Sequence, residues 1–208
     1  MKVACCGEHT THSSHPEFLP EYPGRLATLL GCDVGNFGFA TAVVTQAVAG
    51  PAVAGGGKAR LYQETQAAAQ CIAFEPDILV LGPFGKHDAL GPFSTHDTYD
   101  AEPLFSMDEF TAGLLQLVKW ATDIAGARRV LLALPIPYPF GSTAHTISKV
   151  VLPATQEAAK KMSLQTIDLH TAFAGRREAF SDADHLQDAD IDLMARTVAA
   201  AISSEPKL

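Results

Sequence analysis

Short aliphatic runs alternate with longer amphipathic stretches along most of the chain. Lys2–Cys6, residues 33–37, Ile78–Leu81, residues 129–134 and residues 164–169 are too short for helices, are mainly apolar, and read as strands. Between them the apolar positions recur at helical spacing. Residues 23–30 form a helix opened by Pro23, a residue tolerated in a first turn. Residues 61–74 form the next. Residues 107–125 follow with Ser106 as N-cap, then 147–162 interrupted by Pro153, and 188–202 closing the chain. Strands alternating with helices predict an α/β fold: a flavodoxin-like three-layer sandwich around a five-stranded parallel sheet. Two stretches lack either period. Residues 41–58, with Gly55-Gly56-Gly57, read as loop with room for a short helix at 43–48, and residues 82–107 read as loop throughout. A loop of that length in a compact domain is usually functional. No repeat or linker divides the chain, so residues 1–208 are expected to form one domain.

In open parallel sheets, ligands bind beyond the carboxyl ends of the strands. That rule selects the segments after Cys6, Phe37, Leu81 and Leu169, where histidines and irregular loops fall. Composition narrows the partners. Hydrophobic residues make up 47% of the chain and charged residues 18%, as in a globular protein. A net charge of −8 without a basic cluster argues against nucleic acid. No apolar run approaches the ~18–20 residues that span a bilayer. The N-terminal sequence shows no signal-peptide pattern, so a cytoplasmic location and a small-molecule substrate are expected. Of the four cysteines, Cys5, Cys6 and Cys71 read as small buried hydrophobes, with adjacent Cys5 and Cys6 on opposite faces of one strand. Trp120 reads as packing, and Lys58 and Lys86 as exposed lysines with a capacity to steer an anion.

Four segments resemble, in order, the signature blocks of the SGNH (GDSL-type) hydrolases. Gly7-Glu8-His9-Thr10-Thr11 stands where that family has Gly-Asp-Ser, and Asn36-Phe37-Gly38 is similar to its oxyanion-glycine block. Pro76-Asp77-Ile78-Leu79-Val80 followed by Gly85-Lys86-His87-Asp88 is similar to its Gly-x-Asn-Asp block. Asp182-Ala183-Asp184-His185 is similar to its Asp-x-x-His block, with Leu186 in place of the usual proline. The resemblance runs through nearly the whole chain and implies the family's fold. It also implies a base pair, Asp182 and His185, and a backbone donor at Gly38. The nucleophilic serine and the oxyanion asparagine are both replaced by histidine, His9 and His87.

Three chemical readings follow. Placed on the family scaffold, His9, His87 and His185 surround one reacting atom. Three imidazoles with an open position make a catalytic zinc site, which lowers the pKa of bound water to ~7. Glu8, Asp88 or Asp182 would then be a fourth ligand or would orient an imidazole. On this reading the chain is a metal-dependent hydrolase or hydratase. Its ligands are His9, His87 and His185, its other catalytic residues are Glu8, Gly38 and Asp182, and it needs no organic cofactor. Zinc leads, with iron, copper and nickel as further candidates. In a second reading ester hydrolysis persists without metal, through His9 itself or through Thr10, Thr11, Ser13 or Ser14 as a relocated nucleophile. In a third the fold only binds.

Overall fold

A computed structural model describes residues 1–12, 21–49, 58–90, 103–139, 141–180 and 186–204. Strand β1 (Lys2–Cys6) leads into the short helix α1 (His9–His12), and α2 (Tyr22–Leu30) precedes β2 (Asp33–Asn36). Two-residue strands β3 (Ala42–Val43) and β4 (Arg60–Leu61) come next. They are followed by α3 (Gln66–Phe74), β5 (Ile78–Leu81) and α4 (Lys86–Leu90). The second half runs α5 (Met107–Lys119), β6 (Arg129–Ala133), α6 (Gly141–Thr146), α7 (Leu152–Lys161), β7 (Gln165–Ile167), α8 (Leu169–Ala172) and α9 (Asp188–Ser203). The main sheet has five strands in the order β2-β1-β5-β6-β7, and every pair is parallel. This is the doubly wound order in which chain direction across the sheet reverses between β1 and β5.

The three layers follow from strand alternation. Successive side chains point to opposite faces, so Val3, Cys5, Ile78, Val80, Leu131 and Ala133 enter one core with Tyr22 and Leu26 of α2 and Met194 and Val198 of α9. Ala4, Cys6, Leu79, Leu81, Val130 and Leu132 enter the other, beneath α3, α5 and α7. Cys5 and Cys6 are therefore fully buried on opposite faces, as their adjacency predicts. Trp120 packs edge-on against Tyr62 with ring centroids 5.6 Å apart.

Several helices are cut where the sequence pattern reads as continuous. Residues 61–74 do not form one helix. Leu61 pairs in β4, Tyr62–Glu64 make a 3-10 turn, and Thr65 restarts the helix by accepting the N–H of Ala68 at 3.2 Å. Within the stretch read as loop with room for a short helix at 43–48, Ala42–Val43 instead pairs with Arg60–Leu61 in a two-stranded sheet of its own. Pro153 has no N–H to give the carbonyl four residues before it, and the turn preceding α7, Ile147–Val151, is a π-helix. A second π turn, Trp120–Ile124, ends α5. Among the described residues no helix is long and apolar enough to cross a membrane.

Candidate active site at the carboxyl edge of β1 and β5

The reversal point between β1 and β5 places two chain segments side by side: Gly7-Glu8-His9 after β1 and Gly85-Lys86-His87-Asp88 after β5. Their junction is a buried carboxylate. Oε1 of Glu8 accepts the backbone N–H of Lys86 at 3.0 Å, and Oε2 accepts that of His87 at 3.0 Å. Oε2 also lies 3.3 Å from Nδ1 of His87. An ionised carboxylate only accepts, so this contact is made by Nδ1–H, and in the neutral ring the lone pair is then on Nε2. The Glu8 side chain is 3% exposed and that of His87 12%. The pair is thus a carboxylate–imidazole dyad with restricted access to water.

The second segment is fixed by its backbone. Gly85 has φ +111°, and a Cβ there would lie 2.4 Å from Val151, so only glycine lets the chain turn tightly into α4. Asp88 locks the other side of α4 by accepting the N–H groups of Val44 and Thr45 at 3.0 and 2.9 Å and the Thr45 hydroxyl at 3.0 Å. Burial pushes the Asp88 carboxyl up to about 7; the hydrogen bonds from Thr45 and Val44 oppose that rise and the nearby charge of Glu8 adds to it.

His9 opens α1 and faces the same dyad, its ring centroid 6.0 Å from that of His87 with the planes at 53°. His12, one turn on, is tied at Nδ1 to the carbonyl of Gly38 at 3.1 Å. Gly38 itself is packed against α1: an added Cβ would meet the backbone nitrogen of His12 at 2.3 Å. Its N–H is donated to Oδ1 of Asn36 at 2.9 Å. Close packing thus accounts for glycine at position 38, and the amide already has an acceptor.

The structure brings together Glu8, His9 and His87, with Gly38 behind α1. Asp182 and His185 lie outside the described residues, as do Ser13, Ser14 and Gly55-Gly56-Gly57. The chain on either side of residues 181–185 is joined by an antiparallel bridge, Phe180 to Leu186, and by the N–H of Gln187 on the carbonyl of Ala179 at 2.8 Å.

Beside the dyad a cleft is lined by Glu8, Thr10, Lys86, Ile136, Tyr138 and Phe180, among others. Lys86, read from the sequence as an exposed lysine, is only 6% exposed. Its Nζ lies 5.2 Å from the centroid of the Tyr138 ring, and Tyr138 meets Phe180 edge-on at 5.3 Å. The sequence did not point to Tyr138, which lies outside the signature blocks, or to Phe180, which stands two residues before Asp182 but belongs to no motif. Lys86 sits inside a signature block, and the residue type alone hid its burial.

A five-stranded parallel sheet of this order, with these segments at its carboxyl edge, is the α/β fold of the SGNH hydrolases. The chain superposes on Axe2, an acetylxylan esterase from Geobacillus stearothermophilus solved as a catalytic mutant. The TM-score is 0.69 at 16% identity over 98% of this chain and 94% of that one. A protein from Desulfitobacterium hafniense assigned to the G-D-S-L lipolytic family gives a TM-score of 0.68 at 16% identity, covering 96% of this chain and 98% of the other. A protein from Parabacteroides merdae assigned as a GDSL-like lipase gives 0.66 at 14% identity, covering 96% and 94%. No family model and no curated protein matches the chain at the sequence level.

These findings correct the expectation of a metal-dependent hydrolase or hydratase. Among the described residues no three His, Cys, Asp or Glu side chains are placed to hold an ion. His9 and His87 do adjoin. Glu8, the nearest carboxylate, is spent on two backbone N–H groups and the imidazole of His87. The three neighbours named above are an acetylxylan esterase, a protein assigned to the G-D-S-L lipolytic family and a protein assigned as a GDSL-like lipase, not metal-dependent hydratases.

Proposed function

We propose that the chain is a carboxylic-ester hydrolase in which His87, oriented by Glu8, is the general base that draws a proton from the attacking water. The observation that carries this reading is the buried Glu8–His87 contact at 3.3 Å, which leaves Nε2 of His87 as the basic nitrogen. A carboxylate behind an imidazole holds the tautomer and stabilises the imidazolium that forms, the same service it gives in serine hydrolases. The base here sits after β5 instead of within the Asp-x-x-His block, and water takes the place of the missing serine hydroxyl. His9, across the gap, is the proton donor to the leaving alcohol. The fold neighbours support ester bonds as the substrate: one of them acts on acetylxylan. Asp182 and His185, retained from the family pattern, are a second carboxylate–imidazole pair to which this reading assigns no separate step. The backbone at Gly38 shapes the wall behind α1.

The test is hydrolysis of an aryl acetate by the wild-type chain and by His87→Gln, with folding of both verified by circular dichroism. General acid–base catalysis contributes about 10²–10⁴-fold, and kcat should fall by that amount. Equal rates in the two proteins would remove His87 from the mechanism.

A further inference from the structure

His87 is carried by α4, whose five residues make little more than one turn, and a helix so short does not hold itself. Two buried acidic side chains fix it. Glu8 accepts the N–H groups of Lys86 and His87, and Asp88, inside the helix and fully buried, reaches across to Val44 and Thr45. The anchor that Asp88 grips is itself constrained. Val43 pairs with Leu61, and the carbonyl of Val44 packs so closely on α5 that a Cβ at Gly113 would lie 2.4 Å from it. Oδ1 of Asp88 takes three donors there: the Val44 and Thr45 N–H groups and the Thr45 hydroxyl. Oδ2 lies 3.2 Å from the Val44 nitrogen. A proton on Oδ2 leaves Oδ1 an acceptor, so the link holds in both protonation states. The proposed reaction makes no use of this group, yet burying a carboxyl is costly.

We propose that Asp88 is a positioning residue for the hydrolytic reaction: by pinning α4 to Val44 and Thr45 it sets the His87 imidazole against Glu8 and the attacking water. The effect on rate rests on the ester-hydrolase reading; the effect on the His87 ring rests on the Asp88 geometry alone. The lever is short. His87 and Asp88 are consecutive, so freeing the Asp88 side chain releases the backbone from which the imidazole projects. Glu8 does not prevent this, because its two backbone bonds hold only the start of α4 and leave the rest free to pivot about them. A misplacement of about 1 Å at a catalytic group costs about 10²-fold in rate.

The experiment measures kcat and KM on phenyl acetate, and the nitrogen-15 signals of the His87 ring, in wild type, Asp88→Ala, Asp88→Asn and Thr45→Val. Circular dichroism gives the folded fraction of each. Per folded molecule, kcat of Asp88→Ala should fall about 10–10²-fold with KM within about twofold, and the Nδ1–H preference of His87 should weaken. Asparagine with its oxygen in the Oδ1 place keeps all three donors, so Asp88→Asn should stay within about threefold of wild type and keep the ring signal. A purely structural role predicts a lower Tm for Asp88→Ala with kcat per folded molecule within about twofold. That result, or an unmoved His87 signal, overturns the proposal and leaves ester hydrolysis standing. A loss in Asp88→Asn as large as in Asp88→Ala would place the effect in the charge and overturn the pinning. Should Asp88→Ala not fold, Thr45→Val decides, because it removes one donor and keeps both N–H groups. A kcat lower by about threefold with a moved His87 signal supports the proposal, and wild-type values of both overturn it. If wild type does not hydrolyse the ester, the ester-hydrolase reading fails instead. The ring signal then decides alone: moved in Asp88→Ala it supports the positioning role, and unmoved it overturns it.

Discussion

Glu8→Gln is the substitution whose consequences the geometry specifies most closely. The carboxylate accepts two backbone N–H groups, one on each oxygen, and adjoins the ring N–H of His87. Glutamine has the same shape but one acceptor. Whichever way its amide turns, an NH2 faces a backbone N–H of residue 86 or 87, and that donor is left unpaired in a site where Glu8 is 2% exposed. An unsatisfied buried donor costs about 1–3 kcal/mol, and a hydrogen bond to a charged group is worth about 1.5–3 kcal/mol. Allowing for relaxation, the net loss is about 2–4 kcal/mol. At about 2–4 °C per kcal/mol for a chain of this size, Tm falls by roughly 5–15 °C. Catalysis falls separately, because neither amide orientation stabilises the His87 imidazolium. A loss of about 10²–10⁴ in kcat is expected for removing an orienting carboxylate. Urea denaturation gives the first number and initial rates on an aryl acetate the second. Amide hydrogen exchange at Lys86 and His87 should accelerate in the variant. Unfolding free energies equal within about 0.5 kcal/mol, the range of ordinary surface substitutions, would refute the claim that Glu8 joins the two segments.

Two further outcomes follow from the same neighbourhood. Burial holds the Asp88 carboxyl at about 7 against an ordinary 3.8, so the folded chain binds that proton more tightly than the unfolded one. The stability this confers is complete below pH ~3.8 and lost as pH rises through ~7; at about 1.36 kcal/mol per pH unit the decline reaches at most roughly 4 kcal/mol. Asp88→Asn should flatten urea-derived stability between pH 4 and 7, and an unchanged slope would show that another group governs it. Gly38→Ala sets a Cβ 2.3 Å from the His12 nitrogen and 2.5 Å from its Cα. The backbone of α1 must move, at about 1–3 kcal/mol, and thermal unfolding together with the aryl acetate rate should both report it.

Much of this architecture was legible in the sequence, for identifiable reasons. β1 and β5 are apolar on both faces because both faces are covered, and a continuous aliphatic run bounded by Gly7 or by Pro76 and Gly82 shows this without a structure. Ser106 and Glu109 form the capping box expected of Ser106 as N-cap. What escaped detection was short or non-local. α1 and α4 span four and five residues, less than the repeat that helical periodicity needs. Thr65 divides residues 61–74 through one side-chain hydrogen bond, which the apolar pattern does not register. In the site, replacement of the serine and asparagine by histidine was plain from the resemblance, and the contact between Glu8 and His87 was not. It joins residues 79 positions apart in the chain, and only the adjacency of β1 and β5 creates it. Three histidines on a familiar scaffold suggested a metal. The carboxylate seated behind one of them changes the chemistry to proton transfer.

That proton's location is the most direct test. Nitrogen-15 NMR of the histidine rings, recorded where His87 is neutral and assigned with His87→Gln, reports which nitrogen carries the hydrogen. His87 is expected to be protonated at Nδ1, with Nε2 showing the shift of a bare imidazole nitrogen, and Glu8→Gln is expected to weaken this preference. His87 found mainly as the Nε2–H tautomer in the wild-type chain would contradict it, because the nitrogen required to act as base would already hold a proton.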